Sequence, residues 1–133
     1  MDTIANSKQQ AVDILKIDMR NFISKGYTPE KEMDGKLVFN GNDIAICVLK
    51  SDCMYLFYKK NDNFSCKYVK KKIRFDCQHP HKESMIQYFV CQRCLKRTLV
   101  LYHRKMSFIC RQCSNMTIES RHAYYEFVPF KGQ

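Results

Sequence analysis

Cys91-Gln92-Arg93-Cys94 and Cys110-Arg111-Gln112-Cys113 are separated by the fifteen residues 95–109, and this spacing decides how the chain is read. A two-residue gap lets one tight turn aim both sulfurs at a single point. Two such turns supply four thiolates, the full tetrahedral shell of a metal ion. The symmetric pairing favours one zinc ion over an iron–sulfur cluster, although four thiolates also suit iron. A redox dithiol would need only one such pair. With sulfur in all four positions no place remains for water or substrate, so the metal is expected to be structural.

The intervening segment has the length of a two-stranded hairpin. Residues 98–102 are β-forming, 103–106 suit a turn, and 107–109 return toward the second pair. Two knuckles joined in this way make a zinc ribbon, placed here over residues 86–122.

Upstream, residues 36–85 read as a small antiparallel β region. The β-branched run 44–49 and the run 53–58 form a hairpin about Ser51 and Asp52, and 37–39 is a shorter strand ending at Asn40-Gly41. After a turn at 61–63, residues 66–75 make a third main strand. Val69, Ile73 and Phe75 share its apolar face, while Lys70, Lys72 and Arg74 share the other. Cys47 and Cys53 read as small core residues. Cys77, His79 and His81 offer metal donors but no known ligand frame, and are expected in a turn bent by Pro80.

Residues 1–35 read as an N-terminal helix and turn. Ala11, Leu15, Met19 and Phe22 recur at helical steps, which allows either one helix over 7–25 or a shorter one from Met19 to Lys25 capped by Asp18. Gly26 ends either version. The tail 123–133 carries Tyr124, Tyr125, Phe127 and Phe130; it either returns to the sheet or stands as a partner-binding strand. The expected fold is mainly β with a short N-terminal helix, a small antiparallel sheet domain followed by a C-terminal zinc ribbon.

The formal charge is +10, and it is uneven. Residues 59–122 hold fifteen basic and four acidic side chains, or +11, whereas residues 1–35 hold five and six. Such a field draws nucleic acid or an acidic protein surface. The candidate nucleic-acid contacts are Lys70, Lys72 and Arg74 on the strand, Arg93, Lys96 and Arg97 at the first knuckle, Arg104 and Lys105 at the hairpin tip, and Arg111 in the second knuckle. Lysines on a strand also guard an edge against aggregation. No carboxylate pair, Ser/His/Asp arrangement or phosphate loop is legible, so no enzyme is expected. No apolar run reaches the length of a membrane span, and residues 1–10 have no signal-peptide core. The expectation is a soluble, cytoplasmic protein.

The run Tyr88-Phe89-Val90-Cys91-Gln92-Arg93-Cys94, then Leu101-Tyr102, Phe108-Ile109-Cys110-Arg111-Gln112-Cys113 and Thr117-Ile118-Glu119-Ser120-Arg121 resembles a family of small zinc-ribbon proteins. These occur in bacteria, prophages and other mobile elements, mostly without assigned function. Ile17-Asp18 with Phe22 and Gly26, and the strands of 44–72, are similar to the family's upstream part. Where that family has Cys-Pro-x-Cys this chain has Gln92, and Ile118 replaces a tyrosine. The resemblance implies a zinc-ribbon fold, one structural Zn²⁺ and a mobile-element setting in a bacterial host or infected cell. Two functions remain open: a nucleic-acid-binding regulator contacting DNA or RNA, and a zinc-stabilised adaptor or inhibitor of a host enzyme or defence complex.

Overall fold

Alternating apolar and polar side chains make most of this chain strand. A computed structural model describes residues 15–61, 66–81, 84–104, 107–114 and 123–131. The elements in chain order are β1 (Leu15–Asp18), α1 (Met19–Ser24), β2 (Met33–Phe39), β3 (Asn42–Leu49), β4 (Cys53–Asn61), β5 (Cys66–His81), β6 (Ser84–Val90), β7 (Arg97–Thr98), β8 (Val100–Arg104), β9 (Ser107–Ile109), α2 (Arg111–Ser114), β10 (Ala123–Tyr124) and β11 (Glu126–Pro129). They form a seven-stranded sheet, β11-β2-β3-β4-β5-β6-β7, and a four-stranded one, β10-β1-β8-β9.

The first helix is the shorter of the two versions. Residues 15–18 are not helical, because their backbone groups pair antiparallel with β8, from Leu15 opposite His103 to Asp18 opposite Val100. Asp18 is still extended, and its carboxylate accepts from the Arg20 backbone N–H at 2.9 Å, capping α1. Gly26, at φ 105°, stops the helix in the left-handed region. The part of the longer expected helix before Leu15 lies outside the described residues.

In the large sheet β2 and β3 join through Asn40 and Gly41, both with positive φ, as a tight hairpin demands. The β3–β4 hairpin turns where Ser51 and Asp52 predict. β5 continues past Phe75 to His81: its first part pairs with β4, its last part with β6. Cys77 and His79 therefore lie in a strand rather than in the expected turn. The aromatic tail returns to the sheet, with Phe127 opposite Leu37 in the β11–β2 pair.

Registers fix the two faces of this sheet. One row runs Val128, Lys36, Ile46, Phe57, Lys70, and a second runs Asp34, Val48, Tyr55, Lys72. These point outward. The alternate rows carry Met33, Leu37, Cys47, Leu49, Met54, Leu56 and Ile73, all buried. That inner face is covered by α1 and the small sheet in a single core cluster drawing on Ile17, Phe22, Phe89, Leu101, Phe108 and Phe127. Phe22 lies edge-on to both Phe89 and Phe127, with ring centroids 5.9 and 5.1 Å apart. The N-terminal, central, cysteine-bearing and C-terminal segments all contribute to it.

Gly35 is where the tail ring comes closest. A Cβ built there would stand 2.5 Å from Phe127 Cε1 and from the Val128 carbonyl oxygen. Gly35→Ala is therefore expected to destabilise the chain by about 1–3 kcal/mol through overpacking, read as a lower denaturant midpoint.

Burial raises the Cys47 thiol well above its ordinary range, and pushes Tyr27 up to about 12 against a lowering hydrogen bond from Gln87. The unfolded groups ionise near 8.5 and 10. Because the native pKa values are the higher ones, their contribution is complete below about pH 8.5 and is lost as pH rises toward about 12. Denaturant unfolding across that window should show the decline, and Tyr27→Phe should flatten its upper part.

Candidate metal centre and basic sheet face

Cys91 follows β6 directly, and the chain turns through Cys94 into Leu95, whose φ of 65° closes the first knuckle. The turn is held by Leu95 N–H donating to the Cys91 carbonyl at 3.0 Å and Cys91 N–H donating to that of Lys96 at 2.9 Å. Cys110 follows β9 and Cys113 lies in α2. Between the knuckles, β8 and β9 pair with Tyr102 opposite Ile109 and Arg104 opposite Ser107. A hairpin is present as expected, but its first strand runs on through His103 and Arg104, which were expected in the turn, while Thr98, expected in that strand, pairs with β6 instead.

The four sulfurs of Cys91, Cys94, Cys110 and Cys113 all lie within 4.8 Å of one another. Cys94 Sγ and Cys110 Sγ are 3.8 Å apart. A tetrahedron with metal–sulfur bonds of about 2.3 Å has edges of about 3.8 Å, so the donor set fits one metal ion. Backbone N–H groups of Arg93, Cys94 and Cys110 donate to Cys91 Sγ at 3.4, 3.5 and 3.2 Å, and that of Cys113 donates to Cys110 Sγ at 3.4 Å. Such donors favour a charged sulfur. Burial opposes the Cys91 thiolate, but these bonds outweigh it and lower its pKa to about 6. Cys113 moves the other way, up to about 12, through loss of solvation and the sulfurs of Cys110, Cys94 and Cys91. Cys91 thus forms a thiolate readily while Cys113 resists ionisation. A divalent cation removes that resistance.

Gln92 ties the knuckle to both sheets. Its side-chain oxygen accepts from Phe108 N–H at 2.7 Å, and its amide nitrogen donates to the Lys72 carbonyl at 3.1 Å. Its own N–H donates to the Phe108 carbonyl at 3.2 Å. His103 is half-buried nearby, stacked on Phe108 with centroids 4.4 Å apart, and burial lowers its pKa, aided by Lys71. Cys77 Sγ lies 3.7 Å from His79 Nε2, yet among the described residues only the four-cysteine group clusters as metal donors.

The basic candidates fall into separate places. Lys70, Lys72 and Arg74 are exposed on the outer face of β5, and no ion pair among the described residues holds them. Lys71 points the opposite way, toward His103. Arg104 is half-buried and donates to the Ser114 carbonyl, so its guanidinium braces α2. Arg97 pairs with Asp76 at 3.6 Å, and Arg93 donates to the Cys113 carbonyl at 3.3 Å. Lys96 and Arg111 are exposed. Lys105 lies outside the described residues.

A feature that sequence reasoning did not find is the company the lysines keep. Phe57 stands opposite Lys70 and Tyr55 opposite Lys72. Tyr68 is 81% exposed, and Ile44, Ile46 and Phe130 are also open on the surface. The Lys70 ammonium lies 4.6 Å from the Tyr55 ring centroid and 5.8 Å from that of Phe57. No helix among the described residues is long and apolar enough to cross a membrane. No family model, curated protein or solved structure matches the chain.

Because Phe108, Ile109 and Cys110 belong to the common core, losing the metal should loosen more than the knuckles. Cys110→Ser is expected to bind substantially less metal than the parent chain and to melt at a lower temperature in a single transition. Metal content after gel filtration and thermal circular dichroism check both. Retention of about one tightly held metal per chain would contradict the four-sulfur assignment.

Proposed function

We propose that the chain is a non-enzymatic nucleic-acid-binding protein built around one structural Zn²⁺, with the two knuckles and the β8–β9 hairpin as its zinc ribbon. Zinc suits the site because four thiolates at tetrahedral spacing match its usual structural shell, which leaves no position open for chemistry. The family resemblance adds a setting: a regulator carried by a phage or another mobile element.

The observation that carries the nucleic-acid reading is the row of Lys70, Lys72 and Arg74 on one exposed strand face, with Phe57 and Tyr55 opposite the two lysines and Cys53 opposite the arginine. Cations that no carboxylate among the described residues pairs with are available to neutralise phosphates, and each phosphate contact releases counterions. Arg104 is outside that row, since its guanidinium serves the second knuckle. Arg93, Lys96, Arg97 and Arg111 can extend the field around the metal module, and Lys105 belongs to the same reading.

A second reading has its own support. Ile44, Ile46 and Phe130 are exposed apolar side chains beside the charged row, as at a protein-docking surface. On that reading the protein is an adaptor or inhibitor of a host enzyme or defence complex.

The test is retention of labelled DNA and RNA oligonucleotides by the zinc-loaded protein over a range of salt concentrations. Binding is expected to fall steeply with salt, by about 0.7–0.9 in log slope for each phosphate neutralised, and Lys72→Gln should flatten the slope by about one contact. No retention of any oligonucleotide at low salt would shift the function to the protein-docking reading.

A further inference from the structure

We infer that the outer face of the large sheet is a platform for single-stranded nucleic acid, with unpaired bases against Phe57, Tyr55 and Tyr68 and phosphates at Lys70, Lys72 and Arg74. This deepens the nucleic-acid reading above and rests on it.

Register places the pieces side by side. Phe57 and Lys70 share a cross-strand row, Tyr55 and Lys72 the next, and Tyr68 lies opposite Lys59 one step further along the same face. Ring and cation thus alternate at the spacing of paired strands. Every base has a π-face that stacks on such rings whatever its sequence, while adjacent cations track the backbone. In a duplex those base faces are already stacked on one another, which leaves the rings only sugar and phosphate edges to meet. A single strand satisfies both components of the surface together.

Lys70 shows how the exchange would proceed. Its ammonium now lies over Tyr55 and Phe57, so a cation occupies the ring faces. An arriving base takes the ring, and the flexible lysine stem carries the charge outward to the adjacent phosphate. Next to this position is a groove of about 460 Å³, with Ile44, Ile46 and Phe57 in its lining and Tyr68 and Phe130 beside them. Among the described residues of that lining the one carboxylate is Asp43, and Lys36 pairs with it at 3.1 Å. The groove therefore adds apolar contacts beside the rings and cations of β4 and β5, which suits the sugars and bases of a nucleotide strand. An acidic peptide matches the charge but does not use the row of rings.

The full-length, zinc-loaded protein is titrated into labelled oligothymidylate, oligouridylate and a duplex of matched length. Tighter binding of either single strand than of duplex is expected, and the two single-strand arms separate DNA from RNA. Tyr68→Ala and Phe57→Ala should each weaken single-strand binding about tenfold with the salt slope unchanged, and Tyr68→Phe should restore it. Tyr68 is 81% exposed, so Tyr68→Ala should keep the parent melting temperature and stay interpretable. If no oligonucleotide binds at low salt, the nucleic-acid reading itself falls. If oligonucleotides bind but duplex is preferred, or Tyr68→Ala and Phe57→Ala leave affinity unchanged, only the platform falls. Polyglutamate displacing the strand as well as unlabelled oligothymidylate at equal charge would likewise overturn it. So would loss of a dimer in Tyr68→Ala on analytical ultracentrifugation, which would give the face to a second copy.

Discussion

The seven-stranded sheet has an inner face of Met33, Leu37, Cys47, Leu49, Met54, Leu56 and Ile73, and that apolar surface must be kept from water. No neighbouring strand can do this; a second layer has to lie across it. The layer is assembled from opposite parts of the chain, β1 and α1 from one end and β8, β9 and β10 from the other. Its central pairing, β1 with β8, is what turns a one-sided sheet into a two-layered protein. Ile17 and Leu101, opposite one another in that pair, are both fully buried.

The cysteine cluster stands at the margin of this cover. Strands of five and three residues form a weak hairpin by themselves, and the knuckles hold both ends of that β8–β9 hairpin to one point. Gln92 carries the restraint across to the Lys72 carbonyl on β5. Lys72 is also one of the exposed cations of the outer face, so its backbone is fixed from the side of the cysteine cluster while its side chain stays open to solvent. The cluster thus bears on the outer face through position.

What could be read from the sequence follows the range of the forces involved. Cys-x-x-Cys spacing, the Asn40-Gly41 turn, the Asp18 cap and the alternation of Lys70, Lys72 and Arg74 with Val69 and Ile73 are all local, and each was legible. Residues 15–18 were ambiguous because their apolar spacing fits a helix as well as an extended chain. The decision belongs to β8, far along the sequence. The run 44–49 is apolar at every position, as in a strand buried on both sides, so nothing in it foretold that Ile44 and Ile46 would face outward. Nor could composition tell which arginines are spoken for: Arg104 by the Ser114 carbonyl, Arg97 by Asp76.

The interleaving of early and late segments has a consequence for synthesis. A ribosome delivers β1 before β2 to β6, and its neighbours β8 and β10 after them. The hairpins β2 to β6 can pair as they emerge, but their greasy side stays uncovered until the second knuckle has left the exit tunnel. During that interval the nascent chain is at its most aggregation-prone, and only translation of β8, β9 and β10 relieves it. Cys110 and Cys113 arrive together with β9, so the four-sulfur cluster is complete only once the hairpin that covers the sheet is itself complete.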